Sequence, residues 1–220
     1  MRAFDADIVV VVESWREHDG RGVLDELTAD GYQIETYELA TLTVSGFRPR
    51  YEKPGEGRLE IAICSRFPIL STRTLPIGRV GGDPYGARSA LLCTIDIEGR
   101  EVDVVAVNTS SLLWKFGPVR HLRALKPLLP TRERTAIVAG DCNLWGPPVV
   151  AILSGWRRSV LGRTYPAHRP HSQIDHVLVR DDIEILSGEV LAATPSDHRP
   201  VRSRLRLMPA SRPGGTPGVG

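Results

Sequence analysis

Three short stretches carry side chains suited to chemistry: Ser196-Asp197-His198-Arg199-Pro200, Gln173-Ile174-Asp175-His176 and Ala139-Gly140-Asp141-Cys142-Asn143. Each places an acid, an amide or an imidazole where an apolar, β-like run gives way to a loop. A fourth acid, Glu13, is expected to end the N-terminal strand Asp7–Val12. Singly, each has a blander reading, because Asp and Asn are ordinary turn residues and a Glu can simply solvate a strand end. Together they describe a place where a hard cation and a phosphate meet.

Phosphate-ester hydrolysis needs charge neutralisation on the phosphoryl oxygens, a positioned water and a proton for the leaving oxygen. Magnesium serves the first need with one or two carboxylates and several retained waters, and Glu13 is the candidate ligand. Asp141 and Asn143 lie two apart on a loop held by the preceding strand. Asp141 would orient water, while the Asn143 amide would donate to a phosphoryl oxygen without adding negative charge; an Asx-turn is the competing reading. His198 can exchange a proton near neutral pH, or stay protonated and stabilise developing charge. Asp175 breaks an apolar strand, which is costly unless the acid is paired, and a partnership with His198 would resolve that cost. His176 is expected on the opposite face of the strand. His18, His121, His168 and His171 lack ligand-like spacing and read as surface residues, and nothing resembles a paired Cys/His zinc site.

The elements that must position these groups follow from periodicity. Strands are expected at Asp7–Glu13, Tyr32–Tyr37, Leu59–Cys64, Ile69–Leu75, Ser89–Ile97, Val102–Asn108, Thr135–Ala139, Ile174–Val179, Ile183–Leu191 and Val201–Leu207. Glu98-Gly99-Arg100 reads as a tight hairpin turn. Helices are expected at Trp15–Asp30, with Gly20 and Gly22 against its first half, at Pro118–Leu129, and from Pro147 through Leu153. Phe47–Gly57 and Ile77–Ala87 read as loops. Residues 1–207 form one mixed α/β domain and 208–220 a Pro/Gly-rich disordered tail.

Composition narrows the class. A net charge of +2 permits an anionic substrate but gives no basic coat for indiscriminate nucleic-acid binding. Cys64, Cys93 and Cys142 cannot all pair within one chain and lack CxxC spacing. A reducing compartment, and so a cytoplasmic location, is the expectation. No run approaches the roughly 18–20 apolar residues of a membrane span. Arg48, Arg50, Lys53, Arg157, Arg158 and Arg163, interleaved with Tyr51, Trp145 and Trp156, offer phosphate and stacking contacts to a substrate such as a nucleic acid.

These motifs, in this order, resemble the endonuclease/exonuclease/phosphatase superfamily, the deoxyribonuclease-I-like fold. Asp5-Ala6-Asp7-Ile8-Val9 through Glu13 is similar to its strand ending in a metal-binding glutamate. Leu59-Glu60-Ile61-Ala62-Ile63-Cys64-Ser65-Arg66-Phe67-Pro68-Ile69 resembles its "GIAILSRYPI" segment. Gly140-Asp141-Cys142-Asn143 resembles "GDFN", Gln173-Ile174-Asp175-His176 resembles "RIDYI", and Ser196-Asp197-His198-Arg199-Pro200 matches "SDHRP". Thr164-Tyr165-Pro166 resembles a Thr-aromatic-Pro element that precedes the "IDY" strand. The resemblance implies a four-layer α/β/β/α sandwich of two packed mixed sheets and Mg²⁺-dependent cleavage of phosphate esters, with Mn²⁺ a possible substitute. By position, Glu13 and Asp197 would serve the metal. Asp141, Asn143, Asp175 and His198 would be catalytic, and Asn108, Ser110 and Tyr165 would line the substrate.

Two departures qualify it. The family's strand carrying an asparagine that helps the metal glutamate would precede Met1, so the first strand is expected to be missing, through truncation or a mis-set start. Ser110 stands where many members have the histidine of "NTHL", and a serine cannot act as a general acid near pH 7. A nuclease-like phosphodiesterase is the leading reading. A phosphomonoesterase, a lipid phosphodiesterase or a catalytically impaired phosphate-binding relic are the alternatives.

Overall fold

The computed structural model describes residues 5–42 and 57–209. The loop expected at Phe47–Gly57, with Arg48, Arg50, Tyr51 and Lys53, lies almost wholly outside them, as does the tail beyond residue 209. Eleven strands and three α-helices are described: β1 (Ile8–Glu17), α1 (Asp25–Ala29), β2 (Gln33–Leu42), β3 (Gly57–Ser65), β4 (Ile69–Arg79), β5 (Ala87–Ile97), β6 (Arg100–Asn108), α2 (Gly117–Leu125), β7 (Ala136–Asp141), α3 (Gly146–Ile152), β8 (Arg157–Arg158), β9 (Asp175–Val179), β10 (Ile183–Val190) and β11 (Val201–Leu207).

The strands β4-β5-β6-β7-β9-β8 form one mixed sheet in that spatial order. Among the described hydrogen-bonded pairs only β6 and β7 run parallel, and α2 supplies the crossover between them. The facing layer comes in two antiparallel pieces, β1-β3-β2 and β10-β11. Within it β1 lies over β6 and β7, β3 over β5 and β6, and β11 against β9.

Alternation along the central strands decides which side chains fill which gap. Leu91, Cys93 and Ile95 of β5 join Val102, Val104 and Ala106 of β6 between the sheets, against Ile61 and Ile63. Their neighbours in sequence, Leu92, Val105 and Val107, face the helices and pack on Leu122, Leu125, Val149 and Leu153. A strand buried on both faces therefore reads as one continuous apolar run. On the far side, Leu24, Leu27 and Tyr32 cover Ala62 and Cys64. The order helix, sheet, sheet, helix is the four-layer sandwich.

Two expectations change. Trp15–Asp30 is not one helix: β1 continues through Glu17 against Gly57–Leu59, and α1 occupies only Asp25–Ala29. The apolar spacing of Val23, Leu24 and Leu27 spans a single turn, and Gly20 and Gly22 sit where the chain reverses. The loop expected from Ile77 begins later, since β4 runs through Arg79 and Ile77, Val80 and Asp83 are buried. The two-residue strand β8 had no signal. Glu98-Gly99 does form the turn, with both residues at positive φ.

Leu122 is 0% exposed at the centre of the helix-facing core. Leu122→Ala should cost roughly 2–5 kcal/mol, read as a lowered midpoint in urea unfolding with an unchanged slope.

Candidate active site

Register places the polar residues. β6, β7 and β9 are adjacent, and Asn108 pairs with Asp141, which pairs with Asp175. Three polar side chains thus form one row across three strands at the same sheet edge. One step back, Gly140 has φ +135, and a Cβ there would collide with the Val107 carbonyl oxygen.

Beyond β7 the chain turns tightly. Asp141 Oδ1 accepts the Asn143 backbone N–H at 2.7 Å and Oδ2 accepts Asn143 Nδ2 at 2.8 Å. Asn143 Nδ2 also donates to the Thr109 carbonyl at 2.9 Å, and Asn143 sits at φ +45. The Asx-turn is therefore present. Both Nδ2 hydrogens are engaged inside the loop, where the amide holds Asp141.

His198 Nδ1 donates to both Asp175 oxygens, at 2.9 and 3.1 Å, which leaves Nε2 as the outward nitrogen. The Tyr165 ring packs against the imidazole, with centroids 4.8 Å apart. Thr164, 0% exposed, accepts the Ile174 and Asp175 N–H groups on Oγ1, and its carbonyl accepts the Arg199 N–H. The Asp197 carbonyl accepts from Ala167. One loop thereby braces both halves of the Asp–His pair.

The ligand atoms of Asp141, Asp175 and His198 all lie within 4.8 Å of one another. Burial, with the Asp175 charge, pushes the Asp141 carboxyl above the usual carboxylate range, and Glu13 adds to this. Burial opposes charge on His198. The hydrogen bond and charge of Asp175, with the charges of Asp141 and Asp197, outweigh it and hold the imidazole up to about 9.

Glu13 does not end β1. It sits inside the strand, exposed, at a bulge between Val11 and Ser14 with φ +56. The bulge turns its side chain to the edge, where Oε1 accepts Asn108 Nδ2 at 3.1 Å. Tyr85 hydrogen-bonds the same carboxylate, and burial pushes its phenol up, so it donates. Asp197 is exposed.

Two expected substrate contacts are buried instead. Asn108 is 1% exposed and Ser110 0%. The Ser110 hydroxyl bonds Asp83 and accepts the Leu112 N–H, while its own N–H donates to His121 Nδ1. His121, expected at the surface, is buried from α2, and burial pushes it down to about 4. His176 does lie on the opposite face, buried, with Nε2 bonded to the Leu144 carbonyl. Trp156 is covered by the Arg180 guanidinium at 4.1 Å, so only Trp145 of the two keeps an exposed ring. Asp83, Tyr85 and Arg88 were not singled out from sequence for any part in the site, and Thr164 only as part of the element before the Asp175 strand. The opposite charges of Asp83 and Arg88, five apart around Gly86, were an available signal.

The model of the Endonuclease/Exonuclease/phosphatase family matches residues 1–198. The chain belongs to this family. Its members are in general phosphoester hydrolases and generally depend on divalent metal. Among similar solved structures is an endonuclease/exonuclease/phosphatase family protein from Leptotrichia buccalis, 12% identical, with TM-score 0.69 over 91% of this chain and 87% of that one. A mannosyl-6-phosphatase from Bacteroides thetaiotaomicron is 19% identical, with TM-score 0.68 over 94% and 87%. The catalytic domain of human nocturnin with bound sulfate is 15% identical, with TM-score 0.67 over 94% and 83%. At such identities the likeness speaks for the family's fold alone. No curated protein matches in sequence.

The raised His198 pKa has a definite sign. The Asp175 partnership contributes stability fully below the unfolded value near 6.5, and that contribution is lost as pH rises through about 9. In the metal-free protein the His198 ring protons should titrate near 9 by NMR, and Asp175→Asn should return the midpoint toward or below 6.5. A wild-type midpoint at or below 6.5 would contradict the pairing.

Proposed function

We propose that the protein is a divalent-metal-dependent phosphodiesterase, nuclease-like in its chemistry. The observation that supports this reading most is the doubly held His198–Asp175 pair, with the Asp141 carboxyl beside it and Glu13 on the same rim. A histidine at a strand-end loop, oriented by a half-buried acid, is the arrangement acid–base catalysis requires.

The donor set fits magnesium. Glu13 and Asp197 are exposed carboxylates whose oxygen donors suit a hard ion, while the Cys142 thiol beside Asp141 is buried and held protonated by that burial. Glu13, with Asp197, would hold the ion; Mn²⁺ has the same donor preference. When bound, the metal neutralises charge on the phosphoryl oxygens.

The chain's own groups supply the rest. Asp141 would orient a water and, with its carboxyl raised to about 8 by burial, take its proton as pH rises toward that value. Asn143 holds that carboxyl in place. His198, protonated at neutral pH, presents Nε2–H to a phosphoryl or leaving oxygen, and Asp175 keeps its charge and orientation. Tyr165 buttresses the ring and would border the substrate. Exposed Trp145, two residues beyond Asn143, would offer a stacking face to a substrate that carries a ring.

Likeness to a mannosyl-6-phosphatase supports a second reading, phosphomonoester hydrolysis by the same groups. Bis(p-nitrophenyl) phosphate and p-nitrophenyl phosphate, compared at equal concentration, separate the two. We expect Mg²⁺- or Mn²⁺-dependent hydrolysis of the diester, abolished by EDTA. His198→Ala and Asp141→Ala should each lower kcat by about 10²–10⁴. Wild-type rates in both variants would overturn the assignments, and faster monoester turnover would select the second reading.

A further inference from the structure

We propose that the buried Asp83–Arg88 ion pair is a positioning device for Glu13, acting through the side-chain amide of Asn108; this rests on reading Glu13 as a metal ligand. Arg88 Nε donates to Asp83 Oδ2 at 2.7 Å and Nη2 to Oδ1 at 3.0 Å, with the two side chains 3% and 0% exposed. The remaining edge of the guanidinium faces Asn108, where Nη1 donates to Oδ1 at 3.0 Å and to the backbone carbonyl at 3.3 Å. Asn108 Nδ2 then donates to Glu13 Oε1.

The chemistry of this chain allows one polarity only. A guanidinium has donors and no acceptor, and a carboxylate has acceptors and no donor. The amide between them matches both when Oδ1 faces Arg88 and Nδ2 faces Glu13. Turned by half a rotation, it would oppose nitrogen to nitrogen and oxygen to oxygen. Arg88 thus dictates which atom Asn108 offers to the glutamate.

Arg88 is itself held on every side. Asp83 is pinned by the Tyr85 N–H at 3.1 Å and by the Ser110 hydroxyl. Burial opposes its ionisation, but Arg88 prevails and keeps the carboxyl below its usual range, so the pair is charged. The Tyr85 ring lies against the guanidinium at 4.6 Å while its phenol reaches Glu13. Glu13 is therefore gripped by two groups that both lean on Arg88. A buried ion pair is a poor route to stability compared with apolar residues of similar size, and it is well suited to holding an amide in one orientation. The same contacts give Ser110 a part: it secures Asp83 rather than touching substrate.

The test compares wild type, Arg88→Lys and the double variant Asp83→Asn/Arg88→Met, which leaves no unpaired buried charge. Mn²⁺ binding is followed by electron paramagnetic resonance of the free ion, beside thermal melting and hydrolysis of bis(p-nitrophenyl) phosphate. We expect both variants to melt cooperatively, to bind Mn²⁺ at least tenfold more weakly, and to recover kcat within about threefold at saturating metal. Adding Asn108→Ala to the double variant should then weaken Mn²⁺ by less than twofold, because the coupling runs through that amide. Unchanged Mn²⁺ affinity in both variants would overturn the proposal. So would a full, additive effect of Asn108→Ala, or weak binding seen only with loss of cooperative melting. Wild type that binds no Mn²⁺ at millimolar concentration would instead remove the metal reading of Glu13 itself, and this inference with it.

Discussion

Everything at the reactive edge depends on one seam, the parallel pairing of β6 with β7 and the antiparallel pairing of β7 with β9. Backbone hydrogen bonds set Asn108, Asp141 and Asp175 side by side. Their relative placement is a property of the ladder, not of any loop. The loops then add what strands cannot supply: the Asx-turn that grips Asp141, the Thr164 segment that braces Asp175 and His198, and the bulge that turns Glu13 outward.

Electrostatics follow from that packing. Setting Asp141 beside Asp175 and within reach of Glu13 makes ionisation of the buried carboxyl harder, while the same acids hold a proton on His198. On the proposed reading, these opposed shifts would divide base and acid roles between neighbouring groups. A second buried pair, Asp83–Arg88, stands behind the site and meets it only through Asn108.

Much of this was legible in the amino-acid pattern. The apolar runs of β5, β6 and β7 and the acid at the head of β9 pointed to strands and to a paired Asp175, because period-two burial and the cost of an unpaired buried charge leave direct marks on composition. Four things were not legible. The one-turn α1 and the two-residue β8 are too short to show a period. The bulge at Glu13 depends on its partner strand β3. Ser110 and His121 look like a hydroxyl and an imidazole free for use until the fold buries both. Arg88 sits in a strand whose neighbours are apolar, and only its three-dimensional partners reveal that its charge is spent inward.

Gly140 bears no reactive atom, yet its missing side chain is what lets the backbones of β6 and β7 approach closely one residue before the acids. A methyl group there would wedge the two strands apart and tilt Asp141 away from Asn108 and Asp175 together. The tolerance of this hydrolase to change is thus set partly by an empty volume, and a survey of inactivating substitutions would find one of its hottest positions at a residue that never meets the substrate.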